Sequence, residues 1–322
     1  AGLIWFPLDG ALRLAWELVL TLPDLAGQYR IMVDAADGEL LYCQELHHHL
    51  LARGHVFLDH GAGARGPVPF PLPLADHGLP IPGDLPAGFP GAWIDDDQPV
   101  GNNAIAYFAD DGRTVEGDLD QGAMTFGPFA PAGLGQCILN LFFYVNRMHD
   151  YFYLLGFREQ DGNFQRGAFG PGGIGGDPVD ARVFDGFVNG TATMLTLVDG
   201  QSPTMAMGRM GRTGNHSALD ATVVYHEYAH GVSNRLVGGP QNTRALDAVQ
   251  SRALGEGWSD FFACVASGQN VVGAWLSDQA GGIRGAPYDS AYPGQFGQLG
   301  QGRYRSIHAA GEIWCAALLE LS

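Results

Sequence analysis

Two histidines four residues apart, with a glutamate directly after the first, constrain this chain more than any other feature. They are His226, Glu227 and His230, in the segment VVYHEYAHGVSNRLVGG of residues 223–239. Residues four apart on a helix project from one face, with Cβ atoms about 5–6 Å apart. Both imidazoles can therefore bind a single metal ion, and the spacing predicts a metal site on a helix.

The flanking residues support a helix at this position. Asn215 or Ser217 is a candidate N-cap, so the helix is expected to begin near Ala218. Glu227 is turned by about 100° from His226 on such a helix. It would lie beside a bound ion, where it can take a proton from a metal-bound water. The alternative is two surface histidines next to a glutamate.

A third ligand is expected from the helical stretch SRALGEGWSDFFA, residues 251–263. Glu256 is a carboxylate in an apolar and aromatic setting, and Asp260 lies four residues later on the same face. Zinc-bound histidines commonly donate their second N–H to a carboxylate, a role that Asp260 could fill. Two neutral imidazoles and one carboxylate leave a Zn²⁺ site near +1, with an open position for an acidified water.

Composition excludes several classes of partner. The chain has 322 residues, 34 of them acidic and 17 basic, and a formal net charge of −17. We therefore expect neither nucleic acid nor an anionic membrane surface as a partner. There is no apolar run of about 18 residues that could span a bilayer. The four cysteines form no CxxC pair, which leaves disulfides and buried free thiols equally open.

The remaining sequence predicts a mixture of strands and helices. Residues 1–45 alternate like strands, with a hairpin signal at Asp37–Gly38. The proline-rich residues 65–93 cannot form a regular helix or a central strand. Histidines 47–49 have no matching ligands nearby and are interpreted as a solvated turn. Periodicity predicts the other segments: a buried helix over 135–157, an irregular glycine-rich stretch over 158–203, a short strand over 202–210, helices from 220 to about 268 and a final helix from about 306.

Several of these segments together resemble a known family. VVYHEYAHGVSNRLVGG and LGEGWSDFF are similar to the zinc-site segments of the fungalysin family of secreted zinc metalloproteases, relatives of thermolysin. NLFFYVNRMHDYFYLLGF, GNFQ, GGIGGDPV, SPTMAMGRM and IHAAGEIW resemble other segments of that family in the same order. The resemblance covers about residues 95–322. It implies one Zn²⁺ per chain, held by His226, His230 and Glu256.

The resemblance also implies an architecture. We expect an α+β, two-lobed zincin of the thermolysin-like kind, with a β-containing N-terminal lobe and a helical C-terminal lobe. Residues 1–50 resemble the C-terminal part of an inhibitory propeptide, and an ordinary β-rich domain is the alternative. The expected divisions are the propeptide remnant at 1–50, a proline-rich linker or wrapping segment at 51–95, the N-terminal lobe at 96–217, and the active-site helix with a truncated helical lobe at 218–322.

Further site residues follow from the same resemblance. Glu227 matches the catalytic base. His308, in SIHAAGEIW, is similar to a histidine that polarises the scissile carbonyl oxygen. The strand in SPTMAMGRM resembles one that pairs with extended substrate, which makes Met205, Ala206 and Met207 candidate substrate-binding residues.

The sequence thus predicts a secreted, extracellular zinc endopeptidase, present as a precursor or fragment. It would hydrolyse polypeptide through a zinc-bound water activated by Glu227, with its own propeptide as an intramolecular inhibitor. The alternative is a catalytically inactive fragment that binds metal or peptide. Glu227 favours the enzyme, because a structural zinc site has no need of a carboxylate beside an open position.

Overall fold

The computed structural model describes residues 2–8, 10–22, 27–45, 51–86, 88–120 and 122–322. Within these ranges the strands form three four-stranded sheets. The strands are β1 Gly2–Leu8, β2 Ala11–Leu22, β3 Gly27–Asp34, β4 Leu40–Glu45, β5 Leu51–Phe57, β6 Arg65–Phe70, β7 Ala104–Phe108, β8 Asp118–Asp120, β9 Ala123–Phe126, β10 Val179–Val183, β11 Ala192–Leu195 and β12 Thr204–Met207.

The α-helices of the same ranges lie mostly in the second half of the chain. They are α1 Leu134–Leu154, α2 Ala221–Leu236, α3 Val249–Ser267, α4 Ala274–Ser277 and α5 Ile307–Leu321. The fold is mixed α+β, as predicted. None of the helices in the described ranges combines the length and the apolar character that crossing a membrane requires. Histidines 47–49, interpreted above as a solvated turn, fall outside the described residues.

The N-terminal sheet is antiparallel, with strand order β1-β2-β3-β4. Its predicted hairpin is confirmed, because Gly38 lies between β3 and β4 with φ of 80°, a conformation that glycine adopts readily. Alternate residues of a strand share one face with their cross-strand partners. One face of this sheet carries exposed apolar side chains, and we call it the apolar face: Leu3, Trp5, Leu12, Leu14, Trp16, Leu20 and Leu40.

The second sheet has the order β6-β5-β9-β8 and includes part of the proline-rich region. β6 is an edge strand, in keeping with its prolines. β5 is an interior strand, however, with β6 antiparallel on one side and β9 parallel on the other. Val56 and Phe57 of β5 are buried in the main core. Residues 51–57 are thus part of a sheet, although the sequence placed them in the linker or wrapping segment.

The third sheet has the order β11-β12-β10-β7. Two of its strands, β10 and β11, arise from the glycine-rich residues 158–203 that were predicted to be irregular. β12 is interior, parallel to β10 and antiparallel to β11. Because both of its backbone edges are occupied, substrate cannot pair with Met205, Ala206 and Met207 as expected. Among the described strands, the free edge on this side belongs to β11 instead.

Helix α1 crosses the centre of the main core. It packs on β5, β7, β10 and α2, and almost all of its residues are buried, as its apolar pattern predicts. Its polar residues pair with each other and with neighbouring segments. His149 Nδ1 lies 2.9 Å from Asp150 Oδ1, and Trp93 Nε1 donates to Asp150 Oδ2 at 2.9 Å. These contacts support a structural role for His149 and Asp150.

Arg235, in the last turn of α2, fixes the glycine-rich loop against the helix. Its side chain is fully buried. The guanidinium donates to Asp177 Oδ2 at 3.0 Å and to the carbonyl oxygens of Gly162 at 2.7 Å and Leu197 at 2.6 Å. A buried charge is tolerated only when it is paired and hydrogen-bonded, so the loop must adopt this path around the arginine.

Candidate metal centre

Asp220 determines where α2 begins. Its carboxylate accepts hydrogen bonds from the Thr222 backbone N–H at 3.2 Å and the Thr222 hydroxyl at 2.6 Å. It also accepts from the Leu276 N–H at 3.1 Å, which ties α2 to α4. Residues Ser217–Leu219 form a 3₁₀ turn, so α2 starts at Ala221 rather than near 218. The expected caps do not cap the helix, because Asn215 precedes this turn and Ser217 is its first residue.

Helix α2 and helix α3 bring together three side chains that could bind a metal ion. The Nε2 atoms of His226 and His230 are 3.0 Å apart. Glu256 reaches them from α3, with carboxylate oxygens 3.4 Å from His226 Nε2 and 3.7 Å from His230 Nε2. One donor atom from each residue lies within 4.8 Å of the others. Two imidazoles and a carboxylate fit a zinc site that retains an open fourth position.

Asp260 supports His226 from the side opposite the donor cluster. Its Oδ1 atom lies 2.7 Å from His226 Nδ1, and Asp260 is fully buried. A hydrogen on Nδ1 directed at this carboxylate would leave Nε2 free to bind an ion. The sequence suggested Asp260 for this supporting role, and the role itself stays a prediction.

Arg284 and Tyr288 also belong to the centre, and neither was identified from the sequence. Arg284 donates two hydrogen bonds to Asp260, at 2.7 and 2.9 Å, and one to Glu256 Oε2 at 3.4 Å. Tyr288 donates its hydroxyl hydrogen to Asp260. The sequence did contain a signal for a nearby cation, because two buried carboxylates one helical turn apart require a compensating positive charge. The loop position of Arg284 gave no indication of which of the 17 basic residues provides it.

The two histidines differ in the direction of their pKa shifts. Burial opposes a charge on His226, but Asp260 and Glu256 outweigh it and raise its pKa to about 10. Burial and the neighbouring charge of His226 lower the pKa of His230 to about 3. Burial alone would raise the pKa of Glu256, but the histidines and Arg284 lower it to about 2. The cluster thus stabilises one positive charge. A bound metal ion can supply this charge instead of a proton.

Glu227 lies directly beside this cluster and is only 7% exposed. Burial is the main cause that raises its pKa to about 7, with a further contribution from the charge of Glu256. A carboxylate with a pKa close to neutral can both accept and release a proton at physiological pH. Glu227 is therefore a candidate general base.

His308, in the first turn of α5, approaches the same carboxylate oxygen of Glu256 as His230 does. Its Nε2 atom is 3.4 Å from Glu256 Oε1, and its side chain is 55% exposed. The approach depends on close contact between α3 and α5. A Cβ atom on Gly257 would lie 2.6 Å from the Gly311 carbonyl oxygen, and one on Gly311 would lie 2.6 Å from Glu256 Cβ. Only glycine permits this contact, which brings His308 to the donor cluster.

The free edge strand β11 lies next to the histidine helix. A Cβ atom on Gly231, the residue after His230, would lie 2.6 Å from the terminal methyl carbon of Met194. Met194 is on β11, and its neighbour Leu195 is 59% exposed. The unpaired backbone of β11 is thus close to the candidate metal ligands.

Comparison with known proteins agrees with this geometry. A sequence model described as fungalysin metallopeptidase (M36) matches residues 87–322, which include every residue of the donor cluster. The chain belongs to the fungalysin family. The family resemblance of the sequence is thereby confirmed, and the site described above lies within the matched region of this fungalysin.

Similar curated proteins are fungal. Over 344 aligned positions this fungalysin is 31% identical to extracellular metalloproteinase 1 of Arthroderma gypseum, covering 97% of this chain and 52% of that protein. It is 39% identical to extracellular metalloproteinase 4 of Arthroderma otae over 195 positions, 57% of this chain and 30% of that protein. Extracellular metalloproteinase mep of Aspergillus fumigatus is 38% identical over 197 positions, again 57% of this chain and 31% of that protein. The chain therefore spans about half the length of the first relative and less of the others.

Proposed function

We propose that this chain is part of a secreted zinc endopeptidase that hydrolyses polypeptides. The observation that carries the proposal is the convergence of the His226, His230 and Glu256 donor atoms, with the buried carboxylate of Glu227 at their side. These three donors would hold one Zn²⁺ per chain, and Asp260 would orient His226. The bound ion would acidify a water molecule and polarise the scissile carbonyl group.

The protein's own residues would handle the protons and the developing charge. Glu227 would take a proton from the attacking water and deliver it to the nitrogen of the leaving amine. His308, more than half exposed beside Glu256, would donate from its imidazole to the oxygen on which negative charge develops. Arg284 would stay paired with Asp260 and hold that carboxylate in its charged form.

Substrate would bind as an added strand at the free edge of β11. This replaces the expectation for Met205, Ala206 and Met207, whose strand is interior. Support comes from the exposed edge of β11 and from its contact with the helix that carries both histidines. An extended peptide paired there would run close to the metal ligands, as β-augmentation requires.

We further propose that residues 1–50 are the end of an inhibitory propeptide and that the peptidase itself has two lobes. The N-terminal sheet is built only from its own four strands in the described chain, which supports a separate unit. Residues 96–217 would form the N-terminal lobe and residues 218–322 the helical part. The extracellular names of the relatives support secretion.

The test combines metal analysis with hydrolysis of casein, on the wild-type chain and on Glu227→Gln. The amide retains the shape of the carboxylate but cannot accept the proton. We expect one zinc per chain in both proteins and a loss of hydrolysis of at least about 100-fold in the variant. Glu116→Gln is the matched control, because it makes the same change at an exposed position.

Each outcome decides a different part of the proposal. A folded chain that binds no zinc would refute the metal site. Zinc binding with equal hydrolysis in wild type and Glu227→Gln would refute the role of Glu227. Zinc binding without any hydrolysis by the wild type, even after residues 1–50 have been removed, would support the alternative of a metal-binding or peptide-binding fragment.

A further inference from the structure

A further buried carboxylate lies on α5, one helical turn after His308. It belongs to Glu312, which is only 2% exposed. Residues four apart on a helix share a face, but Glu312 is not one of the three candidate metal ligands. A buried carboxylate is tolerated only when it is paired and hydrogen-bonded. The partners of Glu312 therefore show what this side chain holds in place.

Three donors meet at the carboxylate of Glu312. Its Oε2 atom accepts from the backbone N–H of Gly285 at 3.3 Å and from the Tyr292 hydroxyl at 3.1 Å. Its Oε1 atom accepts from the guanidinium of Arg303. One side chain of α5 thus binds a loop at two points, at residue 285 and at residue 292, and also binds the 3₁₀ turn that precedes α5.

The contact with Gly285 acts on the arginine beside it. Gly285 directly follows Arg284, whose guanidinium donates to Asp260 at 2.7 and 2.9 Å. The close approach requires glycine, because the guanidinium of Arg303 fills the space that a Cβ atom on Gly285 would occupy. Loops are more mobile than the elements they connect. The backbone bond from Gly285 to α5 therefore restricts the position from which Arg284 reaches Asp260.

The contact with Tyr292 acts on a second donor to Asp260. The ring centroids of Tyr292 and Tyr288 are 5.6 Å apart, and Tyr288 donates its hydroxyl hydrogen to Asp260. A Tyr292 hydroxyl bound to Glu312 keeps the Tyr292 ring against that of Tyr288. Glu312 thus acts on both loop donors to Asp260 through their neighbours.

We propose that Glu312 is a positioning residue, which holds the loop of residues 284–292 on α5 and thereby keeps Asp260 aligned with His226. The inference rests on the proposed zinc site, because any effect on the metal passes through Asp260. The sequence of contacts runs from Glu312 through the loop to Asp260, and from there to His226 Nδ1 at 2.7 Å. Glu312 would neither bind the ion nor contact the substrate.

The first measurement is the zinc affinity of the whole chain, by competition with a chromogenic chelator. Glu312→Gln keeps the shape of the side chain, but its amide nitrogen cannot accept a hydrogen bond, so at least one donor loses its partner. Groups that support metal ligands typically contribute 10–100-fold to affinity, and we expect a loss of about 10-fold. In the Asp260→Asn background, Glu312→Gln should cost less than about 3-fold, because residues of one network are not additive.

This comparison separates positioning from a general effect on the fold. A residue that only stabilises the fold would lower zinc affinity by the same factor in both backgrounds. Glu320→Gln is the matched control, since it makes the same change at an exposed position of the same helix, and its zinc affinity should equal that of the wild type. Tyr292→Phe removes a single donor and keeps the ring. It should show the same dependence on Asp260 with a smaller loss.

Equal losses with and without Asp260→Asn would overturn the proposal. Unchanged zinc affinity in both Glu312→Gln and Tyr292→Phe would do the same. Because Tyr292→Phe leaves the buried carboxylate intact, the test still decides if Glu312→Gln does not fold.

Hydrogen exchange tests the loop contact without zinc. In the zinc-free chain, Glu312→Gln should speed amide exchange in residues 284–292 by about 10-fold or more, whereas Glu320→Gln should not change it. Unchanged exchange in this loop would overturn the proposal even in a chain that binds zinc. A wild-type chain that binds no zinc would refute the proposed metal site, and with it the effect on Asp260, while the exchange rates alone decide whether Glu312 holds the loop.

Discussion

At the scale of single residues, Asp260 should affect metal affinity although it is not itself a candidate ligand. It holds His226 at 2.7 Å, so Asp260→Asn should leave the imidazole less basic and free to turn. Carboxylates in this position typically contribute 10–100-fold to metal affinity. We expect a loss of that order in zinc affinity, measured by competition with a chromogenic chelator.

The control for this change is Asp289→Asn. Asp289 follows Tyr288 in the same loop, but its side chain is exposed and does not contact the donor cluster. Its zinc affinity should match that of the wild type. An unchanged affinity in Asp260→Asn would mean that His226 is oriented by other contacts.

His216 should make stability depend on pH. Its Nε2 lies 2.8 Å from the Phe184 carbonyl oxygen, and its Nδ1 accepts from the Ala218 N–H at 3.1 Å. Burial lowers its pKa to about 4. In the unfolded chain the pKa is about 6.5, so as pH falls from about 6.5 to 4 only the unfolded state gains the proton. Between pH 7 and 5 this should reduce the free energy of unfolding by roughly 2 kcal/mol.

Urea unfolding of the wild type and His216→Asn at pH 7 and pH 5 measures this contribution. The asparagine oxygen can still accept from Ala218 N–H, but the side chain does not titrate. The variant should be less stable at pH 7 because it loses the contact with Phe184, and it should lose less stability on acidification. Equal losses in both proteins would exclude His216 as a cause of acid sensitivity.

At the scale of elements, the α3/α5 contact should tolerate no added side chain. Gly257→Ala would place a Cβ atom 2.6 Å from a backbone oxygen of α5. Overpacking of this kind costs about 1–3 kcal/mol, which exceeds the gain in helix propensity of about 0.5–1 kcal/mol. We expect a net loss of stability in thermal or urea unfolding, together with weaker zinc binding, because Glu256 would be displaced.

Gly255→Ala provides the matched control in the same helix. Its new Cβ atom would have its nearest contact at 3.7 Å, with Leu246, which is ordinary van der Waals packing. This variant should be as stable as the wild type or more stable. A Gly257→Ala protein with wild-type stability would show that the two helices can separate freely.

Periodicity predicted the helices well and several strands poorly. The apolar repeats of α1, α3 and α5 are local signals, so these helices appear close to the predicted positions. β5, β10 and β11 have no comparable local signal, since each is short and lies among glycines or prolines. Their pairing is determined by partners distant in sequence, such as Ala104 opposite Val179. The same limit explains why the sequence placed the candidate substrate strand on β12, which is interior in the fold.

At the scale of the whole molecule, the apolar face of the N-terminal sheet should dominate the surface properties of this chain. Trp5 and Leu12 are each 65% exposed there. Contiguous exposed apolar surface of this kind promotes association. Trp5→Lys and Leu12→Lys should reduce both the binding of a hydrophobic dye and the concentration-dependent light scattering of the chain.

Val19→Lys is the control on the opposite face of the same sheet. Val19 is 57% exposed, but its neighbours on that face include the ion pair of Arg30 and Glu17. This change should affect dye binding and scattering much less. If all three variants behave alike, association depends on the total number of exposed apolar residues and not on their contiguity on the apolar face.

The candidate site illustrates what a sequence can reveal about a whole molecule. His226, His230, Glu256 and Asp260 follow fixed spacings within two helices, so their convergence could be anticipated. Arg284 reaches the same centre from a loop, and no spacing rule connects it to the helices. Which edge of the third sheet faces the site likewise depends on strand order, which emerges only from the assembled fold.

The buried guanidinium of Arg235 has a consequence for cooperativity. Its hydrogen bonds extend to the segments around Gly162, Asp177 and Leu197. If one of these segments opened while α2 stayed folded, the charge of Arg235 would be left uncompensated in the interior. Local opening of the glycine-rich loop should therefore require unfolding of the end of α2. Amide hydrogens in the glycine-rich loop and at the end of α2 should exchange with the same free energy of opening. The two segments would then behave as a single cooperative unit, although the loop contains little regular structure.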